Sequence, residues 1–386
     1  MKQIFCFLMV IILAGCKEKY DLPFSTPDTG YLVIEGLINK GPGLTLIQLS
    51  RTNKLTDAGK KYERGARVQV EGDDNSVFPL VETGVGGYTA SLNLLNNKKY
   101  RLRIKTVSGK EYLSDFVEVK VTPPIDSISW QRESAGVQLN INTHDSKNNT
   151  RYYLWDYQET WEIRSAYLSV LKYVTIPGPR GTTLADIAYK DPVTHRFDST
   201  IWKCWTSSTS NQLIIGSSAK LSEDVIFKPF LLIPGGDRKI SELYSINLRQ
   251  LALTKQGYEF LEKMKKNTEE TGSIFDAQPS QLEGNIHCVT DENEPVVGYI
   301  NVCSVQEKRL FISRDDVPLW NYQSGCEEKS IPNNTDSITD SWVKGKVPTN
   351  GLTFFGSNIL TYGETTLDCI DCTLAGTNVK PAFWPR

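Results

Sequence analysis

The chain has 386 residues, 39% hydrophobic and 23% charged, with 43 Lys and Arg against 45 Asp and Glu for a formal net charge of −2. That balance leaves no basic excess to hold a phosphate backbone, so nucleic acid is excluded as a partner. Eight Trp and seventeen Tyr suit a β-rich extracytoplasmic protein, and the length suggests two or three domains.

Lys2 opens the chain with a positive charge, and Ile4–Ala14 is an unbroken apolar run of eleven residues. That length fits the core of a signal peptide and is too short to cross a bilayer as a helix. The run ends in Leu13-Ala14-Gly15-Cys16, which matches a lipobox. Small residues before the cysteine admit the chain to the lipoprotein signal peptidase, and the thiol takes the diacylglycerol. Residues 1–15 are therefore read as a signal peptide and Cys16 as the lipidation site. An acylated N-terminal cysteine carries two or three chains; at about 0.8 kcal/mol per buried methylene, two hold a protein on a membrane effectively permanently. Lys17 stands where an aspartate would retain an enterobacterial lipoprotein in the inner membrane, which points to the outer membrane. The cell surface is the expected face. Lys17-Glu18-Lys19-Tyr20-Asp21 is only weakly acidic, which matches surface-export signals poorly and keeps the periplasmic face open. Residues 16–30, with Pro23, Pro27 and Gly30, read as a lipidated tether. Its fourteen residues after the cysteine reach about 45 Å when extended.

Residues 31–123 predict a mainly β domain. Two-residue alternation marks strands at Tyr31–Leu37, Thr45–Ser50, Arg67–Glu71, Val77–Glu82, Tyr88–Leu92, Tyr100–Thr106 and Phe116–Val121. Turn chemistry separates them at Gly41-Pro42-Gly43, Gly72-Asp73-Asp74-Asn75, Gly84–Gly87, Asn96-Asn97 and Ser108-Gly109. Short strands at this spacing predict an immunoglobulin-like β-sandwich. Gly65–Val70, Gly87-Tyr88 and Tyr100-Arg101-Leu102 also resemble the transthyretin-like modules of carboxypeptidase regulatory domains. Pro123-Pro124 closes the domain, because neither residue can donate to a ladder.

Residues 124–386 predict a larger β-rich domain with one prominent helix. Tyr152–Glu162 is a strand whose odd-numbered aromatics, Tyr153, Trp155, Tyr157 and Trp161, share one face and are expected in the core. Ser169–Trp205, broken by Pro177-Gly178-Pro179, Gly181 and Asp191-Pro192, reads as a long surface excursion. Tyr244–Leu253 alternates again. A helix follows at 255–270, capped by Thr254, with Tyr258, Leu261 and Met264 at helical spacing, Lys263, Lys265 and Lys266 facing water, and Gly272 beyond its end. Glu283–Val289 and Val296–Val305 look like strands joined by Asp291-Glu292-Asn293-Glu294-Pro295, and Arg309–Ser313 is another.

Six cysteines follow Cys16: Cys204, Cys288, Cys303, Cys326, Cys369 and Cys372. An even number in an exported chain predicts disulfides, and six admit fifteen pairings. If the turn after Cys288 centres near Asn293, residue 288 faces about residue 298, so Cys288 and Cys303 do not face each other. Cys326 is then the natural partner for Cys369 or Cys372. A Cys326–Cys369 bridge would close 44 residues, worth roughly 4 kcal/mol in the chain-entropy model. Cys369-Ile370-Asp371-Cys372 lacks the second knuckle of a zinc site and the helix-start context of a redox motif.

Other motifs carry little chemistry. His144, His195 and His287 are each solitary. Ser217-Ser218-Ala219-Lys220 has the Ser-x-x-Lys spacing of penicillin-recognising enzymes without their companion motifs. The acidic run Asp291–Glu294 lacks the order of a calcium loop and reads as a solvated turn. No catalytic set, metal site or cofactor is expected, and the chain does not read as an enzyme.

One set of residues is similar to a known family. Tyr258-Glu259-Phe260, Thr271–Asp276, Gln278-Pro279, Gly284-Asn285-Ile286, Gly298-Tyr299, the terminal Cys369-Ile370-Asp371-Cys372 and Lys380–Trp384 resemble the domain-of-unknown-function 4249 family of Bacteroidetes outer-membrane lipoproteins. The lipobox cysteine and Tyr31–Gly36 fit it too, whereas Leu261 stands where the family pattern has tryptophan. The resemblance implies a genomic context beside TonB-dependent receptors and assigns no catalytic or ligand residue. The function expected from it is an accessory lipoprotein that docks on a TonB-dependent outer-membrane barrel and assists nutrient capture or gating. The alternative is a stand-alone surface adhesion or glycan-binding lipoprotein.

Overall fold

The computed structural model describes residues 30–53, 59–178, 181–269 and 283–385. The signal peptide, Cys16, the tether up to residue 29 and the Thr271–Asp276 and Gln278-Pro279 motifs lie outside the described residues, as does Gly272. The described protein is mainly β.

The first unit is built by β1 (Leu32–Asn39), β2 (Leu44–Arg51), β3 (Lys61–Tyr62), β4 (Arg67–Gly72), β5 (Val77–Gly84), β6 (Gly87–Ser91), β7 (Lys99–Lys105), β8 (Glu111–Ser114) and β9 (Val117–Glu118). Neighbouring strands pair in the order β8-β7-β4-β5-β6-β2-β1. Strand β5 switches partners midway: Val77–Leu80 lie against β4, and Val81–Gly84 against β6. That switch joins the two faces of a sandwich into a nearly closed barrel. Alternation decides which side chains fill it, as the two-residue period demands. Leu32, Ile34 and Ile38 of β1, Val68 and Val70 of β4, and Tyr100, Leu102 and Ile104 of β7 form one buried core.

The second unit contains β10 (Ile125–Glu133), β11 (Gly136–Asp145), β12 (Tyr152–Arg164), β13 (Leu171–Gly178), β14 (Gly181–Tyr189), β15 (Lys203–Thr209), β16 (Ile214–Ser217), β17 (Asp224–Pro234) and β18 (Leu243–Ala252). Sheet β10-β11-β17 and the sheet built on β15-β12-β18 share a core holding Val137, Leu139, Ile141, Tyr153, Trp155, Tyr157, Tyr244, Ile246 and Leu248. The odd-numbered aromatics of β12 thus point inward, except that Trp161 is half-buried at its end. Polar groups inside this core are satisfied, as burial requires. Gln250 accepts from Trp155 Nε1 at 2.7 Å and donates to Pro123 O at 2.9 Å. Glu159 accepts from Lys239 Nζ at 2.8 Å and Tyr244 OH at 2.9 Å.

Helix α1 (Lys255–Glu269) begins where Thr254 Oγ1 accepts from Gly257 N at 3.0 Å, an N-cap. Phe260 is its buried anchor, 5.5 Å from the Tyr299 ring, and Lys265 lies half-buried with Nζ on Leu213 O.

Here the domain boundary drawn from sequence changes. Strands β19 (Ile286–Cys288), β20 (Val296–Val297) and β21 (Val302–Cys303) return to the first unit. β19 adds antiparallel to β8, while β20 and β21 run parallel to β1. They do not form the hairpin expected between Glu283 and Val305. Gly284 and Gly298 make the return so close that no side chain fits. A Cβ on Gly284 would sit 1.8 Å from Gly298 O, and one on Gly298 would sit 2.4 Å from Ile34 O. Asn285 completes the joint, donating to Ile300 O and accepting from Ile300 N.

The chain then re-enters the second unit as β22 (Val305–Ser313) beside β18. A small satellite follows: β23 (Lys329–Pro332), α2 (Thr335–Val343), β24 (Val347–Phe355), β25 (Asn358–Thr365) and the short α3 (Leu367–Ile370). Its core of Val170, Leu171, Ile187 and Tyr362 is shared with the β13–β14 hairpin. The segment 169–205 read as an irregular excursion therefore holds a regular hairpin, with Pro177, Gly178 and Gly181 at the tip ends of its strands. The two short helices α2 and α3 were not foreseen.

Candidate interaction surfaces

Two disulfides are present, one of them the expected bridge from Cys326 and the other a pairing of Cys204 that the sequence left open. Cys326 bridges Cys369 with Cα atoms 5.8 Å apart, and Cys204 bridges Cys372 at 5.7 Å. Both tie the C-terminal segment to the second unit. Cys372 N also donates to Ile201 O, and beyond it Trp384 packs edge-on against Trp205 and Phe311. The three-disulfide expectation is corrected: Cys288 and Cys303 are buried free thiols. Cys288 lies opposite Tyr112 of β8, while Cys303 lies opposite Asn39 of β1. Each is held in a different strand of the first unit, where no other cysteine lies. Burial pushes the Cys303 thiol up to about 12, which suppresses the thiolate that any exchange needs.

The other motifs resolve into structural roles. Ser218 is fully buried and donates to Asp224, which also accepts from Tyr153 OH. Lys220 is exposed, so the Ser-x-x-Lys pair is not assembled. His144 holds Asp126 at 2.7 Å, His287 lies 3.7 Å from Asp115, and His195 stacks on Tyr189. The Asp291–Glu294 turn is exposed as far as Asn293, but Glu294 turns inward. It accepts from Tyr112 OH at 2.6 Å, from Lys110 Nζ, and from Arg51 Nη1 at 3.3 Å. Burial works against this carboxylate, yet the hydrogen bonds from Lys110 and Tyr112 and their neighbouring charges hold it below the usual range. Glu294 thus locks the returning segment to β2 and β8, a role invisible in a run of four acidic or polar residues.

A cleft of about 700 Å³ lies where the linker Val119–Pro124 meets the loop His144–Thr150. The Asp145 carboxylate at its edge is occupied by the N–H groups of Lys147, Asn149 and Thr150.

The outer face of the first unit is divided by chemistry. Leu37, Leu46, Thr89 and Val81 stand in one cross-strand row over β1, β2, β6 and β5. Leu46 is 52% exposed and Val81 68%, with Leu44 and Val77 beside them also exposed. Across β4 the same face becomes charged. Glu71 pairs with Arg101 and Arg103 at 2.8 and 2.6 Å, and Arg103 also reaches Glu111. Strand β2 carries apolar residues on both faces, Ile47 and Leu49 inward and Leu44 and Leu46 outward. That two-sided pattern is legible in the sequence of the strand.

The second exposed feature is the β24–β25 hairpin. Its residues from Leu352 to Asn358 are all exposed, with Phe354 at 54% and Phe355 at 76%.

Comparison with known proteins adds the following. A family model described as a domain of unknown function (DUF4249) matches residues 17–309. A search of curated proteins finds no match. Among solved structures, the chitinase ChiA74 from Bacillus thuringiensis is similar at 10% identity and a TM-score of 0.16, over 52% of this chain and 29% of that one. At that score the likeness carries no argument about fold or activity.

Proposed function

The chain belongs to the DUF4249 family, and on that premise we propose that it is an accessory lipoprotein held on the outer membrane through Cys16. In this reading it docks on a TonB-dependent transporter and helps the barrel capture or gate its ligand. The observation that carries the reading is the divided outer face of the first unit. A row of exposed Leu and Val side chains beside an ordered Glu71–Arg101–Arg103–Glu111 ladder offers apolar area together with charges that fix register. That face begins at β1, directly after the tether, so the lipid would keep it close to an integral membrane partner. The adhesion or glycan-binding alternative calls for exposed flat rings: all eight Trp are buried or half-buried, but Phe227, Phe354 and Phe355 are more than half exposed.

Affinity purification of the native protein from outer membranes tests the proposal. A stoichiometric barrel partner is expected, and Leu46→Asp with Val81→Asp should lose it while the protein stays folded. Recovery of the lipoprotein alone, or retention of the barrel by the double variant, would overturn the docking role of this face.

A further inference from the structure

Residues 347–363 run for seventeen positions without one charged side chain, in a chain that is 23% charged. An average stretch of that length would carry about four. These residues form the β24–β25 hairpin, closed where Phe355 faces Asn358, with Gly356 in the turn at φ +61°. Outside its root the hairpin is in water: Leu352, Phe354, Phe355 and Leu360 are 39%, 54%, 76% and 50% exposed. Two adjacent phenylalanines, each more than half exposed at a strand tip, leave apolar surface in water that burial would remove.

The root is as firmly held as the tip is free. Val170 N donates to Thr349 O at 2.9 Å, Tyr173 OH bonds Ser341 Oγ at 2.7 Å, and the Cys326–Cys369 disulfide closes the satellite. Charges gather only there, in Lys344 with Asp340, Lys346, Glu328 and Glu364.

We infer that this hairpin tip is a second membrane foothold, seating Phe354 and Phe355 in the headgroup–acyl boundary of a lipid surface. The absence of charge favours lipid over a protein partner. Protein interfaces set polar and charged rims around their apolar centres, whereas lipid penalises every charge carried into it. The two strands pair with each other and leave their outer edges at the tip open, which confines the tip to the hydrated headgroup boundary and keeps it out of the hydrocarbon core. The four exposed residues of the β24 arm, Leu352–Phe355, span roughly 13 Å, enough to carry the rings about 5–10 Å into the boundary. The inference rests on the membrane attachment proposed above, but it places a different element at the bilayer than the one that meets the barrel.

The test uses the mature chain from Lys17, without its acyl group, and vesicles that contain no transporter. Co-sedimentation with phosphatidylcholine vesicles is expected, unchanged by added salt and by admixed phosphatidylglycerol, since no charge takes part. Phe354→Ser and Phe355→Ser should each lower the partition coefficient roughly tenfold, while Leu46→Asp with Val81→Asp leaves it unaltered. In Phe355→Trp, the added emission should be quenched by lipids brominated near the headgroup. Absence of wild-type sedimentation, equal sedimentation of the Phe variants, or salt-sensitive binding confined to phosphatidylglycerol would each overturn the foothold. Loss of barrel co-purification by Phe355→Ser without any change on vesicles would make the hairpin a protein contact and overturn it as well.

Discussion

Replacing Gly298 with alanine probes the joint by which β20 and β21 complete the first unit. The new methyl would lie 2.4 Å from Ile34 O, a backbone atom that cannot swing aside, at a φ of +147°. Holding an L-residue there costs about 1–3 kcal/mol. The overlap can be relieved only by lifting β20 from β1, which breaks the Leu32↔Val296 and Val33↔Val297 register at about 1 kcal/mol per lost hydrogen bond. The combined loss is about 3–5 kcal/mol, a large share of the roughly 5–15 kcal/mol that holds a domain together. Urea unfolding followed by tryptophan emission measures it. Gly345→Ala is the control: its φ is +68° but nothing lies within 4 Å, so it should cost about 1 kcal/mol. The same samples should show Cys288 and Cys303 unreactive toward an aromatic disulfide reagent in the wild type and reactive in Gly298→Ala. If Gly298→Ala loses no more stability than Gly345→Ala and both thiols remain silent, the close return of residues 284–298 is not what closes this sheet.

Two further expectations concern the cysteines and Glu294. Thiol titration of the denatured, unreduced protein should find two free groups, Cys288 and Cys303, and Cys326→Ser should lower stability by about 4 kcal/mol for the loop it opens; four free thiols would contradict the pairing. The Glu294 carboxylate is held below its ordinary value, so its stabilisation is complete above the unfolded value near about 4.3 and fades as pH falls through the lower folded value. Glu294→Gln should therefore unfold about 1–3 kcal/mol more easily at neutral pH and approach the wild type in acid, measured by urea midpoints on both sides of that window. An equal gap at both pH values would rule out the ion cluster as its source.

The strands of the first unit were legible because each buries one face, and one buried face writes a period of two into the sequence. Leu32, Ile34 and Ile38, or Tyr100, Leu102 and Ile104, announce themselves this way. The cap at Thr254 was equally local, since its hydroxyl serves a residue three positions ahead. The return of β19, β20 and β21 left no such mark. Two- and three-residue strands carry no period, and a parallel partner such as β1 leaves no turn between the paired segments. Its trace was Gly284 and Gly298, whose need for glycine becomes apparent once the Gly298 backbone is seen against the first and Ile34 against the second. The β13–β14 hairpin was hidden for another reason: its prolines and glycines cluster at Pro177–Gly181, where they read as a break in structure rather than as a tip. Of the two candidate surfaces, the apolar row on β2 was visible as a strand apolar on both sides, whereas its charged neighbours needed the register to be seen as one ladder.

Synthesis delivers a chain amino end first, and the parallel pairing of β1 with β20 and β21 sets a constraint on the order of folding. When residues 31–123 have been made, β1 has β2 along one edge and nothing along the other, and Val296–Cys303 are still to come. An open edge lined by Leu32, Ile34 and Ile38 is a template for pairing with any passing strand. The first unit therefore cannot mature ahead of the second. A fragment that stops at residue 123 would keep its sheet unfinished, and in the full chain the β1 edge stays open until residues 296–303 have been made.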